Sequence, residues 1–166
     1  MRYFVLAALL AACCTFAHPA AAQEAAQGGD QTYQNAVGVT FGWWNGASLS
    51  LKHFIKDDAA IEVRASFYQY GGELCGLYQF YGDFGNVAGL RWYAGGGAHA
   101  GAYNNRWTKN YPSRPDGVYL GPDGVLGVDY KFDSAPIDLS FDIQPRVDIP
   151  GGYFNVWGGL GVRFAF

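Results

Sequence analysis

Ile137-Asp138-Leu139-Ser140-Phe141-Asp142-Ile143-Gln144 alternates apolar and polar residues without a break. A period of two is that of a β-strand, whose successive side chains point to opposite faces. The same alternation runs through Ile61-Glu62-Val63-Arg64-Ala65-Ser66-Phe67 and through Leu160-Gly161-Val162-Arg163-Phe164-Ala165-Phe166. One face of each segment is aliphatic and aromatic. The other carries Glu, Arg, Asp or Gly. The expected fold is all-β: an eight-stranded antiparallel up-and-down transmembrane barrel, apolar outside and polar inside.

Working outward, eight strand segments separated by turn signals are expected at 35–44, 47–54, 60–70, 74–81, 90–103, 119–132, 137–148 and 154–166. Asn45-Gly46 is a tight-hairpin signal. Gly121-Pro122-Asp123-Gly124 predicts a bend or bulge within the sixth segment. Most segments approach the roughly 9–11 residues that a tilted strand needs to cross a bilayer. With an even number of strands both ends lie on one side, so connections 55–59, 82–88 and 133–136 read as periplasmic. Those at 45–46, 71–73, 104–118 and 149–153 read as external. The apolar set runs from Val37, Val39 and Phe41 through Ile61, Leu74, Trp92, Leu126 and Leu139 to Val162. It contains no Asp, Glu, Lys or Arg, as a lipid-facing surface requires.

Composition agrees with this reading. Charged residues make up 15% of the 166, aromatics 17%, and there are 24 glycines; soluble domains carry more charge. A formal net charge of −3 gives no basic surface for nucleic acid. Residues 1–22 read as a signal peptide: Arg2, a short apolar run over 3–12, and Ala20-Ala21-Ala22 as the cleavage site. Leu10-Ala11-Ala12-Cys13 offers a competing lipobox, which would lipidate Cys13. Residues 23–34 read as a flexible N-terminal segment and 35–166 as the barrel. Cys75 is the cysteine left after the leader and reads as a small packing residue.

The polar face predicts an enclosed network of Lys52, Glu62, Arg64, Arg91, His99, Asp129, Lys131, Asp138, Asp142, Arg146 and Arg163. Cations outnumber carboxylates six to four in that set. Buried charges must be paired, and the expected pairs are Asp138 with Lys131 or Arg163, Lys52 with Glu62, and Arg146 with Asp142. Such a ladder would fill and fix the barrel; the alternative is a narrow gated path. Glycines 95, 97, 101, 127, 159 and 161 fall on the same face and make room for large side chains opposite. The 104–117 segment interleaves Arg106, Lys109 and Arg114 with Trp107 and Tyr111, a candidate surface contact for lipid phosphates or sugars.

Signals of chemistry are weak. Gly95-Gly96-Gly97 with Gly101 misses dinucleotide-binding spacing, and His53 and His99 lack a second ligand at metal spacing. No catalytic, cofactor-binding or metal residues are assigned, and no cofactor is expected.

The leader, the eight alternating segments and the terminal strand Leu160–Phe166 resemble the small outer-membrane β-barrels of Gram-negative bacteria, the class of the OmpA membrane domain and OmpX. The resemblance spans roughly 35–166. It implies a bacterial outer-membrane location reached after leader cleavage, with outer-membrane lipids and lipopolysaccharide as surroundings. It also implies insertion by the barrel assembly machinery, with Phe164 and Phe166 resembling its recognition signal. Members serve as anchors, adhesins or enzymes, so the resemblance implies no single activity. The expectation is a non-catalytic, monomeric barrel with a structural or surface-interaction role. The rivals are a lipid-A-modifying deacylase- or palmitoyltransferase-like enzyme, for which no His-x-Ser motif is present, a narrow pore, and a soluble lipocalin-like barrel.

Overall fold

A computed structural model of the chain describes residues 33–43, 46–69, 71–85, 87–103 and 117–166. Within them eight strands follow one another: β1 (Asn35–Gly42), β2 (Gly46–Lys56), β3 (Ala59–Tyr68), β4 (Gly71–Asp83), β5 (Leu90–Tyr103), β6 (Gly117–Lys131), β7 (Ile137–Asp148) and β8 (Tyr153–Ala165). Each pairs antiparallel with its neighbours in sequence, and β1 pairs with β8 to close the barrel. Closure leaves no strand edge unpaired.

Alternation in the sequence becomes alternation in burial. Along β7, Asp138, Ser140, Asp142, Gln144, Arg146 and Asp148 are buried, whereas Ile137, Leu139, Phe141 and Ile143 are exposed. On β8 the register sets Arg163 opposite Asp138 and Val162 opposite Leu139. A slip of one residue would exchange the two sets throughout, so unlike faces fix the register.

Two local expectations are corrected. The connection expected at 71–73 lies earlier. Tyr68 pairs with Gly71, which is already the first residue of β4. Gly71, Gly72 and Glu73 look like turn residues, but β3 and β5 flank them on both sides and hold them in a strand. The sixth segment is not bulged at Gly121-Pro122-Asp123-Gly124. Its partners keep a single register from Leu120↔Ile149 through Asp123↔Arg146 to Lys131↔Asp138. The irregularity lies instead between Phe54 and Lys56 of β2, opposite β3. Of the predicted Asn45-Gly46 hairpin, Asn45 is outside the described residues. Gly46 has φ of 70°, where a Cβ is disfavoured.

Inward glycines make room for rings. Tyr93 lies opposite Gly127 and Tyr119 opposite Gly101. A Cβ at Gly127 would lie 2.5 Å from the Tyr93 ring, and one at Gly101 would lie 2.4 Å from the Tyr119 ring.

The mouth where β1 begins and β8 ends is called proximal here. Two residues of the segment expected to be flexible are docked there. Gln34 accepts the Phe54 amide through its main-chain oxygen at 2.9 Å. Tyr33 packs edge-on against Phe54 with centroids 5.2 Å apart.

Candidate functional site

The lumen is occupied by charged side chains supplied from every strand except β1. Strand alternation brings them inward, and their length lets them meet across the barrel. Near the proximal mouth, Lys52 Nζ lies 3.1 Å from Asp129 Oδ2. It also lies above the Tyr93 ring, 4.9 Å from its centroid. Glu62 accepts from Ser50 at 2.6 Å, from Gln79 at 2.7 Å, and from Arg64 Nε and Nη2, both at 3.0 Å. Arg163 reaches Asp138 at 3.2 Å and Glu62 at 3.7 Å, and donates to Ser140 at 3.0 Å. Arg64 spans the lumen to Asp142, donating through Nη1 at 3.2 Å and through Nη2. Tyr93 donates to the same carboxylate at 2.7 Å. Tyr33 completes this half by donating to Asp138 at 2.5 Å. Burial, with Asp129 and Asp138 nearby, pushes the Tyr33 hydroxyl well above the ordinary tyrosine range.

A second cluster fills the distal half. Arg146 grips Glu73 with two parallel hydrogen bonds of 2.8 and 2.6 Å, the bidentate geometry that suits guanidinium and carboxylate. Its Nε lies 3.2 Å from Asp148 and 3.7 Å from Asp123. The indole of Trp157 stacks on the guanidinium at 3.7 Å. His99 stands between two carboxylates, with Nδ1 3.0 Å from Asp123 and Nε2 3.3 Å from Asp148. Tyr119 adds a hydrogen bond to Glu73 at 2.9 Å. Between the halves, Gln144 donates to Cys75 Sγ at 3.3 Å and accepts from Arg64 at 3.4 Å. A cavity of about 10 Å³ opens here, lined among others by Thr40, Ser48, Ser66, Glu73 and Cys75; it has room for about one water.

Nine of the eleven residues expected in the network are buried in it: Lys52, Glu62, Arg64, His99, Asp129, Asp138, Asp142, Arg146 and Arg163. The other two stand at the proximal rim. Arg91 donates to the Asp57 carbonyl at 2.7 Å and pairs with Asp83 at 3.0 Å. Lys131 caps the carbonyls of Phe132 and Ala135 at 2.7 and 2.9 Å.

Two expected pairings change. Lys52 stands opposite Glu62 in register, yet Glu62 is taken by Arg64, Ser50 and Gln79, and Lys52 crosses to Asp129. Arg146 and Asp142 share one strand and sit four residues, about 13 Å, apart along it. Each finds a partner across the lumen instead. The expected charge balance is also reversed. Among the described residues, the buried cations are Lys52, Arg64, Arg146 and Arg163, against seven carboxylates: Glu62, Glu73, Asp123, Asp129, Asp138, Asp142 and Asp148. Glu73, Asp123 and Asp148 escape the sequence reading because Gly71-Gly72, Gly121-Pro122 and Pro150 beside them signal turns. The signal that could find them is spacing: each lies an even number of residues from an assigned lumen position on its strand, or from Cys75 or His99 across the ladder.

Phe164 and Phe166 are exposed, with ring centroids 6.2 Å apart. Arg106, Trp107, Lys109, Tyr111 and Arg114 lie outside the described residues. Among the described residues no group of three or more His, Cys, Asp or Glu side chains is arranged to hold a metal ion.

Comparison with known proteins gives no relative: no family model matches the chain, and no curated protein or solved structure matches it significantly. The arrangement itself is a densely paired plug. Its cations and carboxylates are engaged with one another and with hydroxyls, so its direct chemical effect is to fill the barrel and couple strands across it.

Proposed function

We propose that this chain is an outer-membrane β-barrel of the small OmpA-membrane-domain and OmpX class, without catalytic activity, serving the envelope as a structural or surface-contact element. One observation carries the reading. Lys52, Glu62 and Asp138 are fully buried, while Phe41, Leu49, Phe67, Phe80, Phe154 and Phe164 are each more than half exposed. A water-soluble protein would bury those rings and hydrate those charges. A barrel in hydrocarbon does the reverse. Strand lengths of 8 to 15 residues suit a tilted crossing of the bilayer.

On this reading the exposed wall meets outer-membrane lipids and lipopolysaccharide, and the chain acts as a monomer. The leader delivers it across the inner membrane. Phe164 and Phe166 in the final strand are the recognition feature for barrel assembly. Filling of the lumen by paired side chains favours a structural element over a pore. Cell fractionation combined with heat-modifiability on gels tests the reading. The expected result is recovery in the outer-membrane fraction as a band that shifts on boiling. Folding in detergent-free buffer would defeat it. An altered acyl pattern of lipid A in cells expressing the protein would transfer the assignment to an enzyme.

A further inference from the structure

The closing strand β1 gives the lumen little. Its inward positions are Ala36, Gly38, Thr40 and Gly42, of which Thr40 alone carries a polar side chain. Thr40 therefore decides whether β1 is joined to the plug by anything besides the main chain. Its Oγ1 is buried, and among the described residues it has no hydrogen-bond partner. A hydroxyl enclosed without a partner is destabilising and rare in a folded protein.

The register places two further hydroxyls beside it. Thr40 stands directly opposite Ser48 on β2, and Ser48 directly opposite Ser66 on β3. All three residues are buried. The serines bond to each other at 2.7 Å. That bond uses the proton of one hydroxyl, so the other still has a proton to donate, and lone pairs remain on both. Side chains directly opposite on antiparallel strands start from Cβ atoms about 4.5–5.5 Å apart. Thr40 and Ser48 make no bond across that distance, whereas one water closes it with two hydrogen bonds of about 2.8 Å.

The cavity between the two halves of the plug supplies the room. It measures about 10 Å³, and Thr40, Ser48, Ser66, Arg64, Glu73 and Gln144 are among its lining. An enclosed water needs about that much space and roughly two to four polar partners. The other polar groups of the lining are already engaged. Gln144 is taken by Arg64 and Cys75, and Glu73 by Arg146 and Tyr119. The hydroxyls have capacity left. Arg64 and Glu73 carry opposite charges, so the lining favours a neutral occupant over an ion.

We propose that Thr40, Ser48 and Ser66 form a binding site for one water molecule, and that this water ties the closing strand β1 to the plug. Thr40 holds it from β1, and the serine pair holds it from β2 and β3. The inference concerns the lumen alone and stands whatever surrounds the barrel.

Two measurements on the full chain folded in detergent micelles test it. A crystal structure that resolves ordered water should show a density peak within about 3 Å of Thr40 Oγ1 and of the Ser48 or Ser66 hydroxyl. No peak there, in a structure with ordered water elsewhere, overturns the proposal, and this measurement needs no variant to fold. The second is urea unfolding of Thr40→Val, which keeps the branched shape and the strand preference while removing the hydroxyl. With the water bound, the change strips it of a partner, and the unfolding constant should rise about fivefold. Without the water, the change only removes an unpartnered buried hydroxyl. An unfolding constant that stays the same or falls therefore overturns the site.

Discussion

In the proximal half of the lumen, Lys52, Arg64 and Arg163 share Glu62, Asp129, Asp138 and Asp142 among themselves, with Tyr33 and Tyr93 adding hydroxyls. In the distal half, Arg146 and His99 serve Glu73, Asp123 and Asp148. The first half is redundant: Glu62 has two guanidinium partners, and Asp138 has an arginine and a tyrosine. The second half hangs on one guanidinium that touches all three acids. Redundancy spreads the cost of losing a partner, whereas a single hub concentrates it. That difference is measurable.

The largest effect should follow Arg146→Met. It leaves three buried carboxylates facing one imidazole and removes the stack on Trp157. Breaking buried pairs in this way should cost about 4 to 5 kcal/mol, read as a lower urea midpoint of the barrel refolded in detergent micelles. Arg163→Met should cost less, about 3 kcal/mol, because Arg64 still holds Glu62 and Tyr33 still donates to Asp138. If the two variants unfold at the same midpoint, the contrast between the halves is wrong. Gly127→Ala forces a methyl group toward the Tyr93 ring and so tilts the hydroxyl that binds Asp142. Overpacking of this kind should cost about 2 kcal/mol, visible as a lower temperature for the gel-shift transition. The smallest change belongs to Tyr33→Phe. It keeps the ring against Phe54 and removes one hydrogen bond to a charged group, worth about 1.5 kcal/mol. A drop as large as that of Arg163→Met would mean that Asp138 depends on Tyr33 more than on the arginine.

The fold was legible because period two is a local signal. Ile137 to Gln144 states both the strand and the identity of its two faces, and eight such statements bounded by turns imply closure. The lumen pairing was legible only in part. Which residues turn inward follows from alternation, so Lys52, Glu62 and Arg163 could be named. Which of them meet depends on reach across the barrel, and no residue-by-residue period encodes that. Asp129 lies four strands from Lys52 in chain order, yet it is nearer to the ammonium than is the residue opposite on the adjacent strand. Turn chemistry misled at Gly71-Gly72 and at Gly121-Pro122. There, glycine and proline serve a strand hemmed by partners on both sides, and local preference yields to pairing. The docking of Tyr33 was equally invisible, since a lone aromatic in a polar stretch carries no pattern.

The contacts that cross the lumen also bear on how the barrel can be assembled. Lys52 on β2 finds its carboxylate on β6, Arg64 on β3 finds Asp142 on β7, and Arg163 on β8 reaches Glu62 on β3. A sheet of four or five strands brings together few of these partners, so its ions must stay hydrated until the last strand arrives. Water can therefore leave the interior only once the ring is complete, and a chain that curls in the wrong order keeps its interior wet.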